Sequence, residues 1–507
     1  MQSEPSGTVT WERSCRQCRL ALKVVLLAAV LLRLVDLDQP IVENYVGRQV
    51  PTAMVARNLE RGSGFLRPQL DTAPSPNYFM VEPPVYQLAV GALRRLLGWR
   101  LEWCGRAVSA LATALGTWGL FELVRRRDAG PTGLVAAVAF VLLPVTIRYG
   151  RAFQPDALML GMVVAGLACW ESAEQNGRRW QFLPAWGFLA IGCAAKITAA
   201  FVLVPLAWGI IKPPRGKKIL LAASALVPVL LWYVWANHLL ESGEGSRASA
   251  ENRAIWLAVP GLLALGKLET LRNLGRFLIV RAFTPPALLL AIWGVSMRQK
   301  RDDPPDIWRV WAASGLLTMA LLAEKLHHEY YWLCLAPVVA AGLGRAVCHI
   351  AERHRGLACA LVLVLLVSSF VLVRSTWQTP GEWQHLETAA ARIREIVPEG
   401  DWLVAAEPLL YQADRRGCRL EFTPQSAARA AAEWPEKPNF EISSHVDLID
   451  FYRMQGARFV ADLAPQPDDV PRIALREEIR RRYKVLVDDP SVIIAELNPS
   501  GTVRHGQ

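Results

Sequence analysis

Ionisable and aromatic residues are concentrated in a few short stretches at the edges of apolar runs. The densest stretch is AEKLHHEYYWLCLAP at 323–337, in which histidines, carboxylates, a lysine and tyrosines precede an apolar run. RYGRAFQPD at 148–156 and AAKITAA at 194–200 place arginines, Asp156 and Lys196 at similar edges. Ionisable groups at membrane depth cost free energy and usually mark a pathway or a site. These edges are therefore the candidate site.

The charges at these edges suggest one kind of chemistry. Cationic side chains suit a phosphate anchored in lipid, which they bind through charge-assisted hydrogen bonds. Carboxylates beside them suit a general base that deprotonates an acceptor hydroxyl. Structural roles remain open for individual residues. Lys196 could snorkel from a helix end, Tyr330 could belong to an interfacial aromatic belt, and His327 and His328 could be solvated loop residues.

The distribution of apolar residues predicts a membrane protein. The 507-residue chain is 52% hydrophobic with a mean hydropathy of +0.22, and apolar runs of nearly spanning length recur from about Leu20 to Val373. The net charge of +11 would fit nucleic-acid binding. However, the basic residues cluster in short loops between apolar runs, which is typical of the positive-inside rule and argues against nucleic acid.

Placing the basic clusters in the cytoplasm predicts about eleven spans, with the N-terminus inside. The predicted spans are 20–35, 103–124, 131–147, 157–171, 182–195, 197–211, 219–236, 281–297, 308–323, 331–350 and 356–374. Residues 1–19 would be a cytoplasmic tail and 20–374 the transmembrane domain. The segment 83–98 has only 16 residues, too few to cross a hydrocarbon core of ~30 Å. It is predicted to be an amphipathic helix on the outer interface, within a first outer loop at 36–102.

The region 375–507 is predicted to be an extracytoplasmic α/β domain. It contains 21 acidic and 16 basic residues, so the excess positive charge belongs to the rest of the chain. WLVAAE, ARFVAD, KVLVDD and SVIIAEL predict strands with helical stretches between them. No nucleotide fingerprint occurs in it. The domain could select the acceptor or cover the site.

The order of these signals resembles the GT-C superfamily of membrane glycosyltransferases. The similarity is to the bacterial branch with protein O-mannosyltransferase-like enzymes and the aminoarabinose transferase. It rests on GRQVPTAMVARNLERGSGFLRPQLD, EPPVYQLAVGALRRLLG, GRAVSALATAL, QPDALML, AAKITA and HHEYYWLCLAP, and covers about residues 20–350. The resemblance implies sugar transfer from a polyprenyl-phosphate donor at the outer face, with inversion at the anomeric carbon, in the bacterial plasma (inner) membrane.

The resemblance also implies site roles. The family has an Asp or Asp-Glu early in the first loop, where this chain reads GRQVPTAM, and the family's Lys-Pro is here Glu82-Pro83. The general base is therefore assigned among the carboxylates, with Asp156 in support. Phosphate binding falls to cations, and three residues would line the donor pocket. The candidates are Glu43, Asp71, Glu82 and Asp156 for catalysis, Arg48, Arg57, Arg151 and Lys196 for phosphate, and His327, His328 and Tyr330 for the pocket.

Partners and alternatives complete the hypothesis. The expected partners are the lipid-linked donor, membrane lipids and a lipid, glycan or protein acceptor, without nucleic acid. No metal ligands are assigned, and participation of a divalent cation is left open. A lipid or solute transporter would use the same charges without chemistry, but its usual internal repeats are not evident. A catalytically inactive scaffold of the same fold is the other alternative.

Overall fold

The structure is a computed structural model that describes residues 6–43, 45–242, 265–297, 306–323 and 328–497, with side chains from residue 17 onward. His327 and the basic cluster at 298–301 lie outside the described residues. The chain divides into two compact units. The helical unit comprises Met1–Leu37, Glu82–Trp235 and Ile255–Trp377, and the α/β unit comprises Asp38–Val81, Ala236–Ala254 and Gln378–Gln507.

The described part of the chain is mainly helical. Its α-helices are α1 Ser6–Leu31, α2 Val46–Glu60, α3 Val85–Leu97, α4 Leu101–Arg127, α5 Gly130–Leu142, α6 Pro144–Tyr149, α7 Asp156–Asn176, α8 Phe182–Ala195, α9 Gly216–Ser224, α10 Val227–Glu241, α11 Leu268–Arg276, α12 Pro285–Ser296, α13 Ile307–Leu321, α14 Ala336–Arg353, α15 Arg355–Val373, α16 Leu386–Ile396, α17 Glu407–Ala413, α18 Pro424–Ala431, α19 His445–Met454 and α20 Val470–Arg482. A mixed helical stretch, Ile197–Ile210, follows α8.

Several helices are long and apolar enough to cross a membrane. Among the described residues four stretches meet this condition: Leu101–Arg127, Asp156–Asn176, Glu329–Arg353 and Arg355–Ile396. The number rises to six if two bent pairs, α9 with α10 and the stretch Leu268–Ala282 with α12, each count as one span. Gly130–Leu142, Ile197–Ile210 and Ile307–Leu321 are apolar but shorter. By length and composition the described helices thus include four to six candidate spans, whereas the count of eleven spans stays a prediction.

Prolines explain where predicted spans are interrupted. The run 131–147 forms α5 and α6 because Leu143 adopts an extended conformation (φ −60°, ψ 137°) before Pro144. A residue that precedes proline is disfavoured in the helical region. Similarly, α12 begins with two prolines after Thr284, whose side chain accepts a hydrogen bond from the Ala287 amide. Both prolines lie in the first turn, where a missing N–H is tolerated.

Small residues allow close approach of helices within the helical unit. A Cβ atom on Gly294 of α12 would lie 1.9 Å from the carbonyl oxygen of Gly342 on α14. A Cβ on Gly161 of α7 would lie 2.1 Å from the carbonyl oxygen of Ala112 on α4. Such contacts bring backbones together where burial of apolar surface alone gives little drive for association in lipid.

Helix α3 confirms that the segment 83–98 is helical and shorter than a span. It runs from Val85 to Leu97 and ends at Gly98, which has the left-handed φ of 67° that glycine adopts without strain. Leu88, Leu96 and Leu97 are exposed on it. Its location on the outer interface stays a prediction.

The α/β unit contains one five-stranded sheet. Its strands are β1 Leu403–Ala405, β2 Gly417–Arg419, β3 Phe459–Leu463, β4 Lys484–Asp488 and β5 Val492–Glu496, in the order β2-β1-β3-β5-β4. Strand β1 is parallel to β2 and β3, whereas β5 is antiparallel to β3 and β4. The four predicted strands correspond to β1, β3, β4 and β5. Strand β2 was not predicted.

The first outer loop adds to this sheet. The Ala73 amide donates to the Gly417 carbonyl (2.7 Å), and the Gly417 amide donates to the Asp71 carbonyl (3.1 Å). Residues 71–73 therefore pair with β2 at the edge of the sheet. A Cβ on Gly417 would lie 1.8 Å from the Leu403 carbonyl oxygen, so β2 packs too closely against β1 for any side chain at this position.

Candidate functional site

A buried ion pair lies where two apolar helices end. Asp156 is the first residue of α7, and Lys196 follows the last residue of α8 with an extended backbone (φ −163°, ψ 120°). The Lys196 Nζ atom donates to Asp156 Oδ1 at 2.7 Å. Lys196 is 8% exposed and Asp156 is 1% exposed. The break after α8 therefore places an ammonium group opposite a carboxylate within the helical unit.

Two tyrosines enclose this ammonium group. The Nζ atom of Lys196 lies 4.3 Å from the ring centre of Tyr330 and 4.7 Å from that of Tyr331. A cation this close to an aromatic face is attracted by the ring quadrupole. His328 stacks on Tyr330 at 5.3 Å. The aromatic residues of 328–331 thus contact a specific cation, which a general interfacial belt would not require.

A second polar cluster adjoins the same tyrosine. The ring of Tyr149 packs edge-on against Tyr330 at 5.7 Å, and its hydroxyl donates to Glu329 Oε1 at 2.9 Å. Glu329 also contacts Arg148 (3.3 Å) and Arg281 (2.6 Å). Glu329 is 5% exposed and Arg148 is 4% exposed. Together with Asp156, Lys196 and Tyr331 these residues form what we call the lysine cluster.

Some polar atoms near the lysine cluster lack a hydrogen bond. Within the described part of the chain, Asp156 Oδ2 and both side-chain amide atoms of Gln154 are buried without a hydrogen-bond partner. Buried polar atoms are nearly always satisfied in native proteins, so exceptions require an explanation such as a ligand or water. Arg151, in the same loop, is fully buried and donates to the Asp36 carbonyl at 3.1 Å.

The α/β unit contains another predicted pair. Arg57 Nη2 contacts Asp71 Oδ2 at 2.5 Å, and the Asn58 amide donates to Asp71 Oδ1 at 2.9 Å. Both carboxylate oxygens of Asp71 are therefore engaged, and the side chain is buried. Arg57 also contacts Asp414 at 3.1 Å and the Tyr411 carbonyl at 2.7 Å. Arg57 thus joins the first loop to the C-terminal part of the same unit.

Asp414 is the solvent-exposed carboxylate among these ion pairs. It adopts a left-handed backbone conformation (φ 53°) at the end of α17, which aspartate tolerates better than most residues. Burial raises the pKa of Asp414, but Arg61 and Arg57 outweigh this effect and lower it. The carboxylate is therefore held ionised beside the two arginines.

The remaining site candidates, two carboxylates and one arginine, are divided between the two units. Glu43 is 1% exposed and belongs to the α/β unit, where its backbone carbonyl accepts from the Gln49 amide. Arg48 is in the same unit, with its guanidinium 5.6 Å from the Phe79 ring. Glu82 is 6% exposed and belongs to the helical unit.

The structure thus brings together some of the predicted site residues. Lys196 lies against Asp156 and Tyr330, and Asp71 lies against Arg57. Sequence reasoning missed Glu329, although it lies between His328 and Tyr330, and its position in a dense polar stretch was an available signal. The partner residue Tyr149 lies in the quoted stretch RYGRAFQPD, whereas Arg281 lies in none of the quoted polar stretches. No group of three metal-binding side chains occurs among the residues that the structure describes.

Comparison with known proteins addresses the fold. Residues 81–238 match the family model described as dolichyl-phosphate-mannose-protein mannosyltransferase, which is less than half of the chain. No curated protein matches the chain in sequence. The following solved structures are similar in fold.

The structure of ArnT from Cupriavidus metallidurans bound to undecaprenyl phosphate has a TM-score of 0.62 and 15% identity, covering 95% of this chain and 98% of that one. The archaeal oligosaccharyltransferase AglB from Archaeoglobus fulgidus has a TM-score of 0.54 and 11% identity, covering 87% of this chain and 69% of that one. The arabinofuranosyltransferase AftD from Mycobacteria has a TM-score of 0.55 and 15% identity, covering 95% of this chain and 42% of that one. The predicted resemblance is therefore confirmed, and the chain has the membrane fold of the GT-C glycosyltransferases.

Proposed function

We propose that this protein transfers a sugar from a polyprenyl-phosphate donor to an acceptor hydroxyl. The observation that carries the proposal is the buried pair of Lys196 and Asp156 at a break between apolar helices. A fold relative was solved with undecaprenyl phosphate bound, which supports a donor of this chemical class.

The lysine cluster supports phosphate recognition, because the Lys196 ammonium group could exchange Asp156 for a donor phosphate. An ammonium group has three donors, of which one is directed at Asp156 Oδ1. A donor phosphate would compete with Asp156 for this group and accept its hydrogen bonds, and the positive charge of Lys196 would offset the cost of removing the phosphate from water. Arg48, Arg57 and Arg151 stay the further candidates for phosphate contacts. His328 and Tyr330 would line the pocket around the sugar-linked end, with His327 proposed on the same grounds.

The transfer requires a base and a leaving group. A carboxylate accepts the proton of the acceptor hydroxyl, the hydroxyl oxygen forms the new bond to the anomeric carbon, and the bond from that carbon to the phosphate oxygen breaks. Attack opposite the leaving phosphate inverts the configuration. Glu43, Asp71 and Glu82 are the proposed bases, and Asp156 supports the site as the counter-ion of Lys196. Both oxygens of Asp71 already accept hydrogen bonds, from Arg57 and Asn58, so as a base Asp71 would have to exchange one of these partners for the acceptor hydroxyl.

The reaction is proposed for the outer face of the bacterial plasma membrane. This location follows from the basic clusters, which would face the cytoplasm under the positive-inside rule. Lys218 belongs to one such cluster and contacts Glu174. Glu174 lies in the last turn of α7, whereas Asp156 is the first residue of that helix. The acceptor would be a lipid, glycan or protein. The transporter and the inactive scaffold are the alternatives that the following assay excludes or supports.

The test is sugar transfer by the purified full-length protein in nanodiscs. Radiolabelled polyprenyl-phosphate sugars are supplied with crude envelope acceptors, and incorporation is measured for wild type and for Lys196→Met. The matched control is Lys218→Met, which removes another lysine from a buried carboxylate. Transfer by wild type and by the control, with loss in Lys196→Met, supports the proposal. Absence of transfer from every donor by folded, lipid-binding wild type would favour the transporter or scaffold.

The base is assigned with isosteric amides in the same assay. Glu43→Gln, Asp71→Asn and Glu82→Gln are compared at equal amounts of folded protein. The base variant loses turnover while still binding donor. Full activity in all three would refute a base from this set.

A further inference from the structure

A polar cavity in the α/β unit is not used by the proposed phosphate chemistry. Its volume is about 190 Å³, which exceeds by an order of magnitude the ~10–15 Å³ that one water needs. Its walls come from α2, from residues 70–79 of the first loop, and from α17, β2, α18 and α19 of the C-terminal part. All of these segments belong to the α/β unit.

One arginine at the wall is shared by three glutamates. Arg419 contacts Glu407 at 3.3 Å, Glu421 at 2.7 Å and Glu433 at 3.4 Å. Burial lowers the pKa of Arg419, but the glutamates outweigh it and raise the pKa, so the guanidinium stays charged. Burial raises the pKa of Glu407, which Arg419 partly opposes. Three carboxylates therefore face one guanidinium in this wall.

The charge of the cavity excludes a second phosphate site. Even with Arg429 also at the wall, the carboxylates outnumber the cations. An anionic ligand would be repelled by these carboxylates, since like charges disfavour each other at short range. The ligand must therefore be neutral or cationic.

The cavity wall contains both hydrogen-bond donors and acceptors, and this combination favours a neutral ligand over a cationic one. Carboxylates only accept hydrogen bonds when ionised, whereas guanidinium groups only donate. A hydroxyl group can do both, while an ammonium group can only donate. Phe79 and Tyr452 add aromatic surface to the same cavity. A ligand with several hydroxyl groups on a compact apolar ring matches this lining better than an amine.

We propose that this cavity binds a neutral saccharide unit of the acceptor, held by Glu421, Glu433 and Arg419. The inference rests on the proposed transfer reaction for its place in function, but the binding itself does not require turnover. Glu421 and Glu433 accept hydrogen bonds from the saccharide hydroxyls, and Arg419 donates to them.

The test is direct binding of methyl hexopyranosides and free hexoses to the full-length protein in nanodiscs. Saturation-transfer NMR is used at millimolar ligand, without any lipid-linked donor. Wild type, Glu421→Gln and Glu433→Gln are compared. Both variants keep the size of the side chain, and Glu421 and Glu433 are partly accessible, so folding is preserved more readily than with Glu407. The control is Glu478→Gln, because Glu478 pairs with Arg481 and Arg482 and does not line the cavity.

The expected result is binding by wild type and by the control, with the Kd raised about tenfold in each cavity variant, equivalent to ~1.4 kcal/mol. Equal binding in all four proteins, or no saccharide binding at all, would overturn the proposal. Binding of ethanolamine or lysine amide without saccharide binding would also overturn it in favour of an amine. Since no donor is present, a failed transfer reaction and a failed saccharide site give different results.

Discussion

Replacing Lys196 should weaken binding of a lipid phosphate, whereas replacing its partner should not. Methionine keeps the apolar stem of lysine and removes the charge. Loss of one hydrogen bond to a charged group is worth ~1.5–3 kcal/mol. At ~1.4 kcal/mol per tenfold change, the Kd for undecaprenyl phosphate should rise about 10- to 100-fold in Lys196→Met.

Asp156→Asn gives the opposite sign because Asp156 competes for the same ammonium group. At 2.7 Å, Asp156 Oδ1 accepts from Lys196 Nζ in the structure. The amide lacks the negative charge, so Lys196 becomes more available to phosphate. The Kd of this variant should be equal to that of wild type or lower.

The assay is titration of detergent-solubilised protein with undecaprenyl phosphate, followed by native mass spectrometry. Lys218→Met is the control, since its pair with Glu174 has a similar length of 2.6 Å. Unchanged affinity in Lys196→Met would refute the role of Lys196. A loss in Asp156→Asn as large as that in Lys196→Met would show that Asp156 holds the lysine in place instead of competing with phosphate.

Three further variants test buried carboxylates. Asp71→Asn should lower the free energy of unfolding by ~1.5–3 kcal/mol, because Arg57 loses its charged buried partner while keeping Asp414; an unchanged thermal midpoint would contradict this. Glu329→Gln should destabilise the purified protein by ~3–5 kcal/mol, since Arg148 is also buried, and an unaltered unfolding temperature would refute it. Burial raises the pKa of Asp462 to about 7, so the stability of wild type should fall as pH rises from about 4 to 7, at ~1.36 kcal/mol per unit of pKa difference. Asp462→Asn should lack this decline in denaturant unfolding at pH 5 and pH 8, and parallel pH profiles would refute the assignment.

Local patterns in the sequence predicted those elements that depend on local residues. The short apolar runs of the C-terminal domain appear as β1, β3, β4 and β5. Val404, Val460 and Ile493 from three of these strands belong to one hydrophobic core, and β4 is the strand whose burial alternates. Strand β2 escaped prediction because it has three residues, Gly417 to Arg419, and forms only by pairing with β1 and the first loop. Short strands of this kind carry no periodicity that a sequence can display.

The site shows the same division between local and long-range information. The sequence indicated Asp156 and Lys196 separately, since each ends an apolar run. Their contact joins residues 40 positions apart and depends on the packing of α7 against α8. The pairs of Glu329 with Arg148 and Arg281 are also long-range, so the polar stretch could indicate Glu329 as a candidate but not its partners. Composition can reveal that charges lie at membrane edges but not which charges meet.

The pairing of Lys196 with Asp156 also bears on how the chain enters the bilayer during synthesis. The two residues stand at the open ends of α7 and α8, which the short segment 177–181 connects. A lone charge on an inserting helix costs ~2.5–3.5 kcal/mol at the centre of the bilayer, which is an upper bound for residues at helix ends. Delivered together, α7 and α8 carry a neutral pair at that end. The translocon should therefore release them as a single hairpin, and a glycosylation-site reporter after α7 alone should show poorer insertion than one placed after α8.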